Sequence, residues 1–159
     1  GDWFRAGGYR TYYKGKWHAS HASLDSEDGS GDVMSIDKTG EPQQDGIAKY
    51  LEADLLDEHG FSEWVGPEPH GLGAHNTGTV KDRFTADETI DLLKRLGDEG
   101  GEDDQPWLTV CSLLNPHDIA LFGVIALAQG LRYHPRSVPH VDQAPTRRED
   151  LSTKPSCSR

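Results

Sequence analysis

Lys16 and His18 stand two residues apart, with Trp17 between them, directly after the run Tyr9-Arg10-Thr11-Tyr12-Tyr13-Lys14 and a glycine, Gly15. A second histidine, His117, stands in Asn115-Pro116-His117-Asp118, directly after the apolar run "PWLTVCSLL". A lysine with two histidines suits a tetrahedral oxyanion. The ammonium supplies fixed positive charge, and an imidazole donates a hydrogen bond or moves a proton near neutral pH. Asn115 and Asp118 could orient His117, or Asp118 could cap a following helix. The same residue types at these spacings also occur as ordinary surface residues, and eight histidines in 159 residues is only a modest excess. His18 and His21 form an HxxH pair with no third ligand in view, so no metal site is assigned there. His59 reads as a helix-end residue. His70 and His75 fall in a Gly/Pro-rich loop where they could line a pocket, and His134 and His140 belong to a proline-rich tail.

Elements must hold these residues together. Residues 2–7 read as the end of a helix stopped by Gly7-Gly8. Tyr9–Lys14 reads as a strand, rich in aromatic and β-branched residues and broken by Gly15. Residues 19–44, including "DSEDGSGD", read as a long exposed acidic loop, and the acids do not fit the EF-hand spacing. Residues 45–58 place Ile47, Tyr50, Leu51 and Leu55 on one helical face, with His59-Gly60 as the stop. Phe61–Val65 reads as a short strand. "GPEPHGLGAHNTG" is then a loop of turn formers, long enough to carry function. Thr85 and Glu88 form a capping box at the head of a helix whose buried stripe is Ile90, Leu93 and Leu96, with Gly97 as its stop. "PWLTVCSLL" reads as a strand buried on both faces, with Cys111 a small buried hydrophobe, as in a parallel sheet. Ile119–Gln129 reads as a short buried helix, and residues 131–159 as an irregular Pro-rich segment.

The order alternates helices with strands and implies an α/β domain with a largely parallel sheet flanked by helices. Ligands of such sheets bind outside the carboxyl ends of the strands. Parallel neighbours would bring Lys16, His18 and His117 to one sheet edge. The net charge of −11 argues against sequence-independent nucleic-acid binding and against a polybasic membrane anchor. No apolar run reaches the roughly 18–20 residues of a membrane span, and two cysteines make no disulfide framework. The chain opens on Gly1-Asp2-Trp3-Phe4 without an initiator methionine and reads as an internal piece of a longer protein. With no signal or membrane segment in these residues, the compartment is undetermined and the cytoplasm is the favoured expectation.

The stretch "AGGYRTYYKGKWH" closely resembles the segment of formylglycine-dependent sulfatases, in the alkaline-phosphatase-like superfamily, where a helix, an "AGY-T" turn and a strand lead into "GKWH". The later order is also similar. Gly60-Phe61 and Trp64 come next, then Asp82 and the helix "TADETIDLLKRL", then a strand entering "PH". The resemblance spans about Trp3 to Asp118. It implies an incomplete sulfatase-like catalytic domain over residues 1–159 and a sulfuric ester hydrolase acting on a small-molecule sulfate ester. It implies that Lys16 holds the sulfate and the nucleophile region by charge. His18 would hydrogen-bond the hydrated formylglycine and act as base when the sulfated intermediate collapses. His117 would bind a sulfate oxygen and help the leaving group; His70 is a candidate substrate contact from its place in the Gly/Pro-rich loop, not from the resemblance.

The same resemblance implies a divalent metal, calcium or magnesium, and a formylglycine in the full-length protein. The C/S-x-P-x-R motif of the nucleophile does not occur in these residues: Cys157 and Arg159 in "PSCSR" lack the proline. The aspartates of the opening strand and the later Asp-Asn or Asp-His pair are also missing, so no metal ligand is assigned here. "PHDI" replaces the usual "PHxP". The expectation is a piece that carries part of the sulfate site and is inactive alone. A phosphodiesterase or phosphonate hydrolase of the same superfamily remains an alternative, because "GKxH" does not separate two tetrahedral esters. A non-catalytic module with a structural "GKWH" loop is the other.

Overall fold

The computed structural model describes residues 1–69, 76–99 and 105–115. All of them belong to the first of two compact units, Gly1–Ile125; the second, Ala126–Arg159, lies outside the described residues. Helix α1 spans Asp2–Ala6, strand β1 Arg10–Gly15, helix α2 Gln44–Ala53, helix α3 Gly78–Glu99 and strand β2 Trp107–Ser112, with a 3-10 turn at Asp57–His59. The α/β architecture follows, and β1 and β2 pair in parallel with Arg10 opposite Trp107 and Gly15 opposite Ser112. Parallel strands need a crossover connection, here the one that contains α2 and α3.

Strand β1 forms where expected. Its Thr11 and Tyr12 are buried, and Tyr12 packs with Leu92 and Leu96 of α3. It ends at Gly15 because the backbone there takes φ 91°, a conformation that disfavours side chains, and because a Cβ would run into the Ser112 carbonyl. The expected strand at 61–65 reduces to one parallel bridge, Tyr12 with Ser62. Its residues are held instead through Trp64, which is 1% exposed, donates its indole N–H to the Gly15 carbonyl at 2.8 Å and meets Tyr50 edge-to-face.

Several sequence expectations are corrected. Helix α2 stops at Ala53, not beyond, because Asp54 turns left-handed at φ 41° and donates its N–H back to the Tyr50 carbonyl. Leu51 is exposed, and Leu56, after the helix, is fully buried. Thr85 is no cap: α3 begins at Gly78, and Thr85 lies inside it, its carbonyl accepting the Thr89 hydroxyl at 2.7 Å. The buried stripe runs through Lys81, Phe84, Thr85, Thr89, Leu92 and Leu96; Leu96 is buried as expected, while Ile90 and Leu93 are exposed. Gly97 does not end the helix, which continues to Glu99. Strand β2 is not buried on both faces. Trp107 and Cys111 are exposed, and the residues between them are only partly covered.

Residues 19–44 carry no helix before Gln44, yet they are not wholly exposed. Ala22 and Ile36 join Ile47, Tyr50, Leu56, Trp64, Val65 and Phe84 in the main core. The acids on the outside serve their own turns. Asp28 accepts the Ser26 hydroxyl and the Ser30 amide, and Asp37 accepts the Thr39 amide and hydroxyl and the Glu41 amide. These hydrogen bonds hold both carboxyls below the usual aspartate range, Asp28 at about 2. No helix among the described residues is long and apolar enough to cross a membrane. The expected helix 119–129 and the tail from 131 lie outside the described residues.

Candidate functional site

The parallel pairing puts the carboxyl ends of both strands on one edge. The Lys16 amide donates to the Ser112 carbonyl at 2.9 Å, so the chain leaving β1 starts beside the end of β2. From there Lys16, Trp17 and His18 form the loop on one side, and Leu113, Leu114 and Asn115 the segment on the other. His117, two residues past Asn115, lies outside the described residues, as do His70 and His75.

Two lysines flank Gly15, and their environments differ. Lys14 is buried; its ammonium donates to the Glu63 carbonyl at 2.7 Å and lies 3.5 Å from a Glu88 carboxylate oxygen. That charge is engaged by the fold. Lys16 is half-buried and His18 exposed. Among the described residues, neither the Lys16 ammonium nor the His18 imidazole has a hydrogen-bonding or ionic partner. Among the described residues, a cation and an imidazole thus stand uncommitted at the strand end.

The loop that carries them is held rigidly by other groups. The Tyr13 hydroxyl donates to the Lys16 carbonyl at 2.7 Å, and burial pushes this phenol above its usual pKa. The Trp17 ring packs edge-on against Tyr13 and Phe61 and lies tilted against His59, and its indole N–H donates to the Ser20 hydroxyl at 2.9 Å. His18 sits at φ 54°, a left-handed conformation uncommon for a residue with a side chain. Glu68 lies below, 4% exposed. Its Oε1 accepts the amides of both Trp17 and His18, the latter at 3.0 Å.

The head of α3 supports both sides. Lys81, 5% exposed, donates to the Pro67 carbonyl at 2.8 Å and so fixes the segment before Glu68. Asp82, the next residue, accepts the amides of Leu114 at 2.6 Å and Asn115 at 3.0 Å and so fixes the end of β2. Sequence reading passed over Glu68 and Lys81. The turn formers around Glu68 mark a loop but not the carboxylate within it, and Lys81 precedes the element that a capping box at Thr85 would start.

Burial pulls the Lys81 ammonium from 10.5 down to about 8, with the Glu68 charge acting the other way. Below pH 8 the folded and unfolded chains both carry the proton, and the folded chain bears the cost of a buried charge. Between pH 8 and 10 the folded chain releases this proton while the unfolded chain keeps it. The unfolded state then binds more protons, so stability rises with pH through that window, by about 3 kcal/mol from this group. Urea unfolding at several pH values should show the rise, and Lys81→Met should remove it. An equal rise in that variant would assign it to other groups.

Among the described residues, no group of three or more His, Cys, Asp and Glu side chains could hold a metal ion. The C/S-x-P-x-R motif does not occur in the sequence, and the chemistry that Lys16 and His18 can supply is anion binding and proton movement. No curated protein and no solved structure matches the chain. The sulfatase family model, in contrast, matches residues 1–151. Nearly the whole sequence is covered, including both strands and the loop at their carboxyl ends, and the chain belongs to the sulfatase family.

Proposed function

We propose that these residues form the cationic part of a sulfatase site that hydrolyses a small-molecule sulfate ester to an alcohol and sulfate. Membership of the family supports a sulfatase-like hydrolase. The observation that carries the finer reading is the contrast between two neighbouring lysines. Lys14 is tied to Glu63 and Glu88, whereas Lys16 and His18 are free of partners among the described residues. Uncommitted positive charge at the carboxyl end of a parallel strand pair is the arrangement an oxyanion needs.

In this reading Lys16 draws the ester's anionic oxygens by charge. His18 donates a hydrogen bond to the anion side of the reacting group and can take a proton as the bond to sulfur changes. His117, carried by the chain beyond β2, binds a sulfate oxygen and delivers a proton to the departing alcohol oxygen. His70, in the loop after Glu68, contacts the rest of the substrate. Roles for a divalent metal and for a formylglycine belong to residues outside those described, and no step is drawn through them.

The test is turnover of the full-length protein on paired sulfate and phosphate monoesters and phosphodiesters of one aryl alcohol. Preferred hydrolysis of the sulfate ester is the expected result. Preference for the phosphodiester would replace this reading by a phosphodiesterase of the same architecture. Turnover of none of them, with no tungstate or sulfate binding, would leave the loop a structural one.

A further inference from the structure

We infer that Glu68 is the positioning residue of the Lys16–His18 loop, acting through the backbone rather than through substrate. The inference rests on the proposed role of that loop. Glu68 reaches back fifty residues in sequence, and its Oε1 takes the amides of Trp17 and His18 together. Two amides that point at one atom fix the peptide planes on both sides of Trp17. They therefore fix where the Lys16 and His18 side chains start. His18 needs such a constraint, because its φ of 54° is not a conformation it would hold without one.

Two other roles for this carboxyl fit less well. A space-filling role needs no polar atoms. Glu68 is 4% exposed, and its Oε2 is buried with no hydrogen-bond partner among the described residues. That is a costly arrangement which an apolar side chain of the same size would avoid. A role as counter-charge to Lys81 is also weaker, since the Lys81 ammonium donates to the Pro67 carbonyl and not to the carboxylate. Among the described residues, the hydrogen bonds the carboxylate makes are those with the two amides. Lys81 then acts one step behind, holding the backbone of Pro67 so that the next residue presents its oxygen at the right height.

The head of α3 thereby sets both halves of the site. Lys81 works through Pro67 and Glu68 on the loop after β1, and Asp82 works directly on the amides after β2. Adjacent residues of one helix thus hold the loop after β1 and the segment that leaves β2. Small misplacement there carries a large kinetic cost, of about a hundredfold for an error near 1 Å.

The experiment compares Glu68→Met, which fills the space without an acceptor, with Glu68→Gln, which keeps one. Both are made in full-length protein labelled with 15N at tryptophan and histidine only. In E68M the Trp17 and His18 amide resonances should move upfield, and kcat/KM for a sulfate ester should fall about a hundredfold. In E68Q the same two resonances should move the same way by less, and kcat/KM should stay within about tenfold of wild type. Unmoved amides in either variant, wild-type kcat/KM in E68M, or equal impairment of the two variants overturns the inference. If E68M does not fold, the E68Q amides decide it. If the wild-type protein hydrolyses no sulfate ester, the functional reading fails separately. The amides, with tungstate affinity expected to be weakened in E68M and retained in E68Q, then decide the role of Glu68 alone.

Discussion

Lys16→Ala in the full-length protein should lower kcat/KM for a sulfate ester by about a thousandfold while leaving the melting temperature nearly unchanged. His18→Asn should do the same. The two halves of this expectation have separate physical grounds. Loss of rate follows if the charge and the proton-moving group face the anion. Unchanged stability follows from the structure, because neither side chain has a polar partner among the described residues and His18 is exposed. Asparagine is chosen at position 18 because it tolerates the left-handed backbone at φ 54°, so the variant removes the imidazole and spares the turn. Lys14 is the internal control. It is buried and bonded to Glu63 and Glu88, so Lys14→Ala should lower the melting temperature, by loss of about 2 kcal/mol. Steady-state kinetics and calorimetry on the three variants check this. Near-wild-type turnover in K16A and H18N would remove the loop from the site, and a melting temperature lowered as in K14A would mark Lys16 as structural.

What the sequence made legible was local, and what it hid was long-range. The strand β1 could be read because Thr11, Tyr12 and Tyr13 favour a pleated surface and Gly15 ends it, all within six residues. The "GKWH" loop could be read for the same reason: its chemistry is contiguous. A largely parallel sheet followed from element order, while the direct pairing of β1 with β2 comes from the structure. The start of α3 could not be read locally. Thr85 and Glu88 carry a capping pattern, yet contacts of Lys81 and Asp82 with distant backbone groups continue the helix to Gly78. Ile90 and Leu93 are exposed because the face of the helix that packs on Tyr12 of β1 is the one carrying Leu92 and Leu96. Glu68 was hidden for a related reason. Its partners are two backbone amides fifty positions away, and an acceptor for main-chain N–H groups leaves no spacing pattern in a Gly/Pro-rich loop. Cys111 shows the limit of composition: an apolar run made it look buried, but burial of a strand depends on what lies on both sides of it.

The 159 residues expressed by themselves should hydrolyse no sulfate ester above the buffer rate. Hydrolysis of such an ester needs a nucleophile aimed at sulfur as well as groups that hold its oxygens. The C/S-x-P-x-R motif that would supply the nucleophile does not occur in this sequence. Lys16 and His18 can attract and orient an anion, but orientation without attack leaves the S–O bond intact. Loss of a catalytic nucleophile alone costs on the order of a millionfold in rate, which takes an ordinary turnover number below detection. Binding is a different matter, because the loop, Glu68 and the head of α3 are all within the chain. The chain should still take up tungstate or sulfate weakly, and Lys16→Ala should abolish that. The measurement is release of an aryl alcohol at micromolar enzyme, beside calorimetric titration with tungstate. Turnover by the 159 residues that Lys16→Ala abolishes would show that they contain their own nucleophile, and the division of labour drawn above would then be wrong. Absent turnover together with anion binding that needs Lys16 would place this chain on the binding side of the reaction.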